Sequence, residues 1–232
     1  VCLEEESAGI PESGNSNYIL SRLGIPLVEI STAPDIESPQ EAQEVALAIG
    51  SLLRKTGLVQ RGLGTIRQDL NISIPGGARV EIKGVQDLSL IKKVIETEIE
   101  RQKNILEISN ELKKRLVNQK IDETIFDLTN IFENTNCKLI KNAIEKKEKV
   151  LGLKLAWHKG ILGKQICPNR RYGTELSDYV KSVGVGGIIH SDEDLFSYGI
   201  SEEEISELKV VFSLRPQDVF VLAIGEQKKL YI

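Results

Sequence analysis

The residues best placed to do chemistry lie on two short stretches, TIRQDLNISI (65–74) and RVEIK (79–83), joined through Pro75-Gly76-Gly77. In the first, Ile66, Leu70, Ile72 and Ile74 fall on alternate positions, and Arg67, Asp69, Asn71 and Ser73 fall between them. In the second, Val80 and Ile82 alternate with Glu81 and Lys83. A period of two marks a half-buried β-strand, so the polar side chains share one face. A three-residue loop pairs Ile72 with Val80 and Leu70 with Ile82, which keeps both apolar faces together. A two-residue loop would set Ser73 against Val80, which register disfavours. The preferred register puts Asn71 opposite Glu81 and Asp69 opposite Lys83, with opposed β-carbons about 5 Å apart. Oxygen ligands gathered in this way suit Mg²⁺, which takes a few carboxylates, several waters and substrate phosphates. Arg67 and Lys83 can hold phosphate oxygens beside it. The plainer alternative is a solvated sheet face crossed by ordinary ion pairs.

Two other clusters carry charge. VCLEEES sets Glu4, Glu5 and Glu6 in succession, and on an extended segment Glu5 points away from the other two. It is either a source of metal ligands or an exposed acidic run. CPNRRYGTELSDY places Arg170 and Arg171 beside Tyr172 at a turn. Adjacent arginines with an aromatic can meet an RNA backbone or an unstacked base, and the alternative is a solvated loop ahead of a capped helix. His190 ends a short strand and His158 follows Trp157, positions where histidine is usually structural. No Ser-His-Asp arrangement, P-loop or GxGxxG is found.

The elements that position these residues can be read around them. GIPLVEIS (24–31) has strand character, begun by Pro26. A helix follows, with Ser38 as N-cap, Pro39 at its first position and Glu41 where a capping-box acid belongs. Its stripe is Ala42, Val45, Ala46, Ile49, Leu52 and Leu53, and Gly57 stops it. After the hairpin, a helix of roughly nine turns runs from its cap Asp87 to about Asn118. Leu88, Ile91, Ile95, Ile99, Leu106, Leu112 and Leu116 form its stripe. Its length predicts a bridge between two domains. Beyond Lys120 the strands VLGLKLAW, GGIIHS and DVFVLAIG alternate with helices near 136–147, 173–182 and 201–211. That is a separate α+β module, expected to keep its own core and to make modest contact with what precedes it. The domains are therefore expected at 1–118 and 119–232.

Composition sets the limits. The chain of 232 residues, 41% hydrophobic, can build one large domain or two ordinary ones. With 30 basic against 34 acidic residues the net charge is −4, so a nucleic-acid partner would need a local basic patch. Cys2, Cys137 and Cys167 are odd in number and far apart, which supports neither a disulfide framework nor a zinc site. No apolar run reaches the roughly 18 residues of a membrane span and no signal peptide is seen, so a cytoplasmic protein without membrane contact is expected. The sequence holds no Met, and an internal piece of a longer protein is expected, with chemistry lying off both ends.

GIPLVEISTAPDIESPQEAQEVA, GLGTIRQDLNISIPGGARVEIKGVQ and EIERQKNIL resemble the catalytic cradle of the B- and E-type subunits of tRNA-dependent amidotransferases. LEEES resembles the acidic motif that precedes these segments in the family. LGLKLAWHKGILGKQ, RRYGTELSDYVK, GGIIHSDED and YGISEEE, within 122–225, resemble the insert (GAD) domain shared by the E-type branch and bacterial aspartyl-tRNA synthetases. Cradle plus insert resembles the archaeal E-type branch, since the B-type branch lacks the insert. The resemblance implies an α+β fold: a cradle fragment with a β-hairpin sheet and helices, plus the inserted module. It implies a two-step reaction with ATP and Mg²⁺ as cofactors. ATP phosphorylates the γ-carboxylate of glutamate esterified to tRNA(Gln), and ammonia from the asparaginase-like D-type partner displaces phosphate. The assembly implied is a heterotetramer of two D-type and two E-type chains. By motif position Glu5, Asp69, Asn71 and Glu81 are implied as metal ligands or their supports. Arg67 and Lys83 are implied on phosphate, with Arg67, Glu81 and Lys83 serving the chemistry, and Arg170 and Arg171 are expected on tRNA. A cradle segment ahead of Val1 and tRNA-gripping domains beyond Ile232 are also implied. Two alternatives compete: a fragment of an aspartyl-tRNA synthetase, opposed by the lack of class II motifs in 24–107, and a non-catalytic tRNA-binding scaffold.

Overall fold

The computed structural model describes residues 1–9, 18–62, 64–117 and 123–225. The chain divides into two compact units, Val1–Thr65 and Ile66–Ile232. The change of pattern expected around 118–122 lies outside the described residues.

In the first unit β1 (Cys2–Glu5) pairs antiparallel with β2 (Pro26–Glu29), setting Leu3 opposite Val28 and Glu5 opposite Pro26. Helix α1 (Pro39–Thr56) begins where Ser38 Oγ accepts from Glu41 N at 3.2 Å. The Glu41 carboxylate reaches one residue further back than a capping box requires, accepting from Glu37 N at 2.9 Å. Gly57 ends the helix in the left-handed region at φ 71°, where glycine has no Cβ to clash. None of the unit's described residues is buried.

The second unit opens with β3 (Leu70–Ile72) and β4 (Val80–Ile82) in the expected register, Leu70 with Ile82, Asn71 with Glu81 and Ile72 with Val80. Gly77 N donates to Ile74 O at 2.9 Å and Gly76 sits at φ 79°. Proline then glycine at the two central positions is the signature of a type II turn. The ladder stops at Ile72 and Val80, so the connection is longer than the three-residue loop expected, without altering the register.

Helix α2 (Leu88–Arg115) is capped by Asp87, whose carboxyl accepts from Ser89 N at 2.8 Å. The Ser89 hydroxyl and backbone hydrogen bonds hold that carboxyl below the usual aspartate range. The buried line on the helix is Ile91, Ile95, Glu98 and Gln102, then Ile108. Spacings of four, three and four residues keep the first four on one face, so the apolar stripe is continued by two polar side chains.

Next come β5 (Ile125–Asp127), α3 (Lys138–Glu145), β6 (Lys149–Leu155), β7 (Gln165–Cys167) and β8 (Arg170–Arg171). They are followed by α4 (Tyr172–Ser182), β9 (Ile188–His190), α5 (Glu202–Val211) and β10 (Val219–Gly225). A four-stranded sheet in the order β5-β6-β10-β9 carries a core that includes Leu128, Phe132, Ile140, Leu208, Phe212, Phe220 and Leu222. Phe212 stacks on Phe220 and meets Phe126 edge-on, both with centroids 5.4 Å apart. Gly152 in β6 lets these residues close, because a Cβ there would lie 2.5 Å from Leu128 Cδ1 and 2.8 Å from Phe212 Cζ. The helices expected in this half are thus found, and the very short β5, β7 and β8 join them.

Contact between the long helix and this half is more than modest. Ile105, Ile108 and Leu112 of α2 share a cluster with Ile161, Ile166, Cys167 and Tyr172. Asn104 donates to Ile166 O at 2.8 Å, Arg115 donates to Lys159 O at 2.8 Å, and Glu111 pairs with Lys164. The modest-contact expectation fails because it treated α2 as a strut, whereas its second half supplies one wall of a core. No helix among the described residues is long and apolar enough to cross a membrane.

Candidate functional site

On the hairpin, alternation puts Ile72 in the interior and leaves Arg67, Asp69, Asn71, Glu81 and Lys83 exposed. The Lys83 ammonium spans the face, 3.0 Å from Glu81 Oε1 and 3.4 Å from Asp69 Oδ2. Hydrogen bonds to Glu81 and then Asp69 raise the Lys83 pKa, so it stays charged. Asp69 also accepts from Gly84 N at 3.0 Å through Oδ1, which fixes its orientation. Asn71 lies directly across from Glu81. Arg67 stands at the start of this face and is itself engaged in a polar or charge interaction. The carboxylates of two strands thus converge on one cationic centre, and the amide of Asn71 is their neighbour. Such a donor set fits a hard cation that completes its sphere with water or phosphate. Among the described residues no group of three or more His, Cys, Asp or Glu side chains is gathered as a ready cage.

Glu5 closes β1 in the first unit, exposed, its Oε1 3.5 Å from where a Cβ on Gly24 would stand. Glu6 pairs with Arg22 at 3.2 Å. The acidic run is therefore part of the β1–β2 ladder and its continuation.

The two arginines of the second cluster part company. Arg170 turns inward, with Nε 2.6 Å from Glu175 Oε2 and Nη2 2.7 Å from Asp178 Oδ2. The hydrogen bond from Arg170 holds the Asp178 carboxyl below its usual range. Arg171 remains exposed. Tyr172 packs against the buried cluster under α2, away from any role as a stacking platform. His190 is 2% exposed and its Nε2 lies 3.1 Å from Glu193 Oε1, while burial lowers its pKa. The Tyr198 hydroxyl donates to Glu193 Oε2 at 2.5 Å and is pushed up to about 12 by that bond. This histidine is a core residue, as its place at a strand end implied.

Three residues on α2 were missed. Glu98 is 7% exposed and accepts from Arg101 at 2.7 Å (Nε) and 2.9 Å (Nη2). Arg101 Nη1 reaches Glu175 at 2.7 Å, and Gln102 Nε2 donates to Glu98 at 2.9 Å. The only sequence signal available was the run of polar residues where a helical stripe should continue.

The site is thus a one-sided acidic and basic hairpin carried on a long helix, followed by a small α+β module. The profile described as "GatB/GatE catalytic domain" matches residues 1–151, and the chain belongs to that family. A GAD domain profile matches residues 140–231. The E subunit of the Sulfurisphaera tokodaii glutamyl-tRNA(Gln) amidotransferase is 50% identical over 238 residues, covering 100% of this chain and 38% of that protein. The proteins of the same name from Methanocaldococcus jannaschii and Pyrococcus abyssi are each 52% identical, covering 99% of the chain and 37% and 36% of theirs. The chain therefore spans well under half the length of these relatives.

Proposed function

We propose that the chain is part of a tRNA-dependent amidotransferase subunit that binds Glu-tRNA(Gln) and activates its glutamate with ATP. Identity near 50% along the whole chain to relatives named as the E subunit is the observation that carries this reading. The convergence of Asp69 and Glu81 on one cation supports the hairpin as the wall for metal and phosphate. A magnesium ion bound there would spread the charge of the transferring phosphoryl group. In this reading Asp69, Glu81 and Asn71 hold the ion, and Arg67 and Lys83 bind phosphate oxygens. Lys83 then exchanges its two carboxylates for phosphate, which its long flexible stem allows. Phosphorylation turns the γ-carboxylate oxygen into a leaving group, and ammonia from an asparaginase-like D-type partner displaces phosphate. That partner, the tetramer of two D-type and two E-type chains, and the cytoplasmic setting belong to the same proposal. Arg171, exposed at the start of α4, is the proposed contact to the tRNA backbone.

The test uses the full-length protein with ammonia in place of the partner. ATP, Mg²⁺ and Glu-tRNA(Gln) should together give Gln-tRNA(Gln) and ADP, and omission of ATP should stop product. Amide formation without ATP hydrolysis would contradict the ATP step, and tRNA binding with no product would favour the scaffold reading instead.

A further inference from the structure

The hairpin is a two-stranded ribbon, and such ribbons are marginal unless another element supports them. Its support is α2, and one side chain makes the polar link. Gln102 is 4% exposed, and its Nε2 donates both to Ile72 O in β3 at 3.3 Å and to Glu98 Oε1 at 2.9 Å. Its Oε1 faces the turn: a Cβ on Gly77 would lie 2.4 Å away, and Leu106 Cδ1 lies 3.8 Å from the Cβ position of Gly76. The proline-glycine-glycine turn thus sits on the helix at the place where Gln102 emerges. Residue 77 must lack a side chain for the contact to close.

That buried Oε1 has no hydrogen-bond partner among the described residues. An unsatisfied buried acceptor is costly, so packing alone would favour an aliphatic side chain here. An amide does what leucine cannot, by pinning the strand carbonyl in a fixed direction. Its other anchor, Glu98, is itself clamped by Arg101, which reaches Glu175. Glu175 in turn accepts from Arg170 Nε at 2.6 Å. A continuous chain of hydrogen bonds therefore runs from the hairpin backbone, through Gln102, to the residue beside Arg171.

We infer that Gln102 is a positioning residue for the hairpin wall, acting through the Ile72 carbonyl and held in place by Glu98 and Arg101. The inference rests on the hairpin being the metal and phosphate wall. Ile72 directly follows Asn71 and pairs with Val80, the neighbour of Glu81, so a shift of this carbonyl moves both polar residues. Misplacement by about 1 Å can cost about 100-fold in rate.

Gln102→Leu in the full-length protein removes the link and keeps the volume, and Gly77→Ala pushes on the same contact from the hairpin side. Amide hydrogen exchange is read first, because it does not depend on activity. Both variants should exchange faster over 70–82, with the sheet around Phe212 and Phe220 unchanged. In the amidation assay both should lower kcat about 10- to 100-fold and raise the Mg²⁺ concentration for half-maximal rate, leaving KM for Glu-tRNA in place. If Gln102→Leu does not fold, Gly77→Ala carries the test. Unchanged hairpin exchange would overturn the inference, as would faster exchange with wild-type kcat and Mg²⁺ dependence. A wild-type protein that makes no product would instead count against the amidotransferase reading, and exchange would still decide whether Gln102 fixes the hairpin.

Discussion

The hairpin and the Arg170-Arg171 turn both present charged residues at sequence positions that suit a ligand, and they end differently. On the hairpin, Arg67, Asp69, Asn71, Glu81 and Lys83 all stay at the surface, because strand alternation decides exposure without reference to distant residues. At the turn, Arg170 is drawn into an ion-pair network with Glu175 and Asp178 while Arg171 is left outside. A regular strand thus declares its free face. A turn does not, since the fate of each side chain there depends on which opposite charges the fold brings up. The carboxylates of Asp69 and Glu81 stay at the surface beside Lys83, whereas Arg170 is taken up by Glu175 and Asp178 of α4.

Stability separates the two regions most sharply. Glu175 accepts from both Arg101 and Arg170, and its side chain is 13% exposed. Glu175→Gln leaves two guanidinium groups without their shared anion and should cost about 3 kcal/mol in chemical denaturation. Glu81→Gln should leave the denaturation midpoint unchanged, since its partner Lys83 is an exposed, screened cation. Equal losses in the two variants would erase the distinction.

Acid should loosen the ion pairs of α2 and α4. Asp178 is depressed below 3.8, chiefly by Arg170, and Glu111 below 4.5, chiefly by Lys164. A depressed carboxylate contributes stability that is fully present above its unfolded value and is lost as pH falls through the folded value. As pH falls below 4.5 the thermal midpoint should therefore fall, and Asp178→Asn with Glu111→Gln should flatten that slope. An equally steep acid slope in the double variant would contradict this assignment.

A smaller effect distinguishes the two arginines. Arg171→Ala should weaken tRNA binding modestly and lower the slope of log affinity against log salt by about 1. Arg170→Ala should instead act through stability. A filter-binding titration across salt concentrations reads both, and identical salt slopes for wild type and Arg171→Ala would remove the tRNA contact.

Much of the fold was legible from local signals. The hairpin register followed from alternation and the Pro75-Gly76-Gly77 turn. The ends of α1 followed from Ser38, Pro39 and Gly57, and the start of α2 from Asp87. Strands β5, β7 and β8, of three, three and two residues, are too short to show a period. Glu98 and Gln102 read as the polar side of a helix, because their burial depends on partners far along the chain. Gln102 meets Ile72 across 30 residues, and Arg101 meets Glu175 across 74. No helical periodicity encodes such pairings. The same limit hid the core that α2 shares with Ile161 and Ile166.

The central claim is that the exposed hairpin face holds magnesium and phosphate during activation of the γ-carboxylate. Glu81→Gln in the full-length protein tests it most directly, because the amide keeps the shape and removes the anion. ATP-dependent conversion of Glu-tRNA(Gln), measured at saturating Mg²⁺ beside tRNA binding, should fall about 100-fold or more with binding unchanged. Near-normal conversion would contradict the claim and return Glu81 and Lys83 to an ordinary cross-strand ion pair.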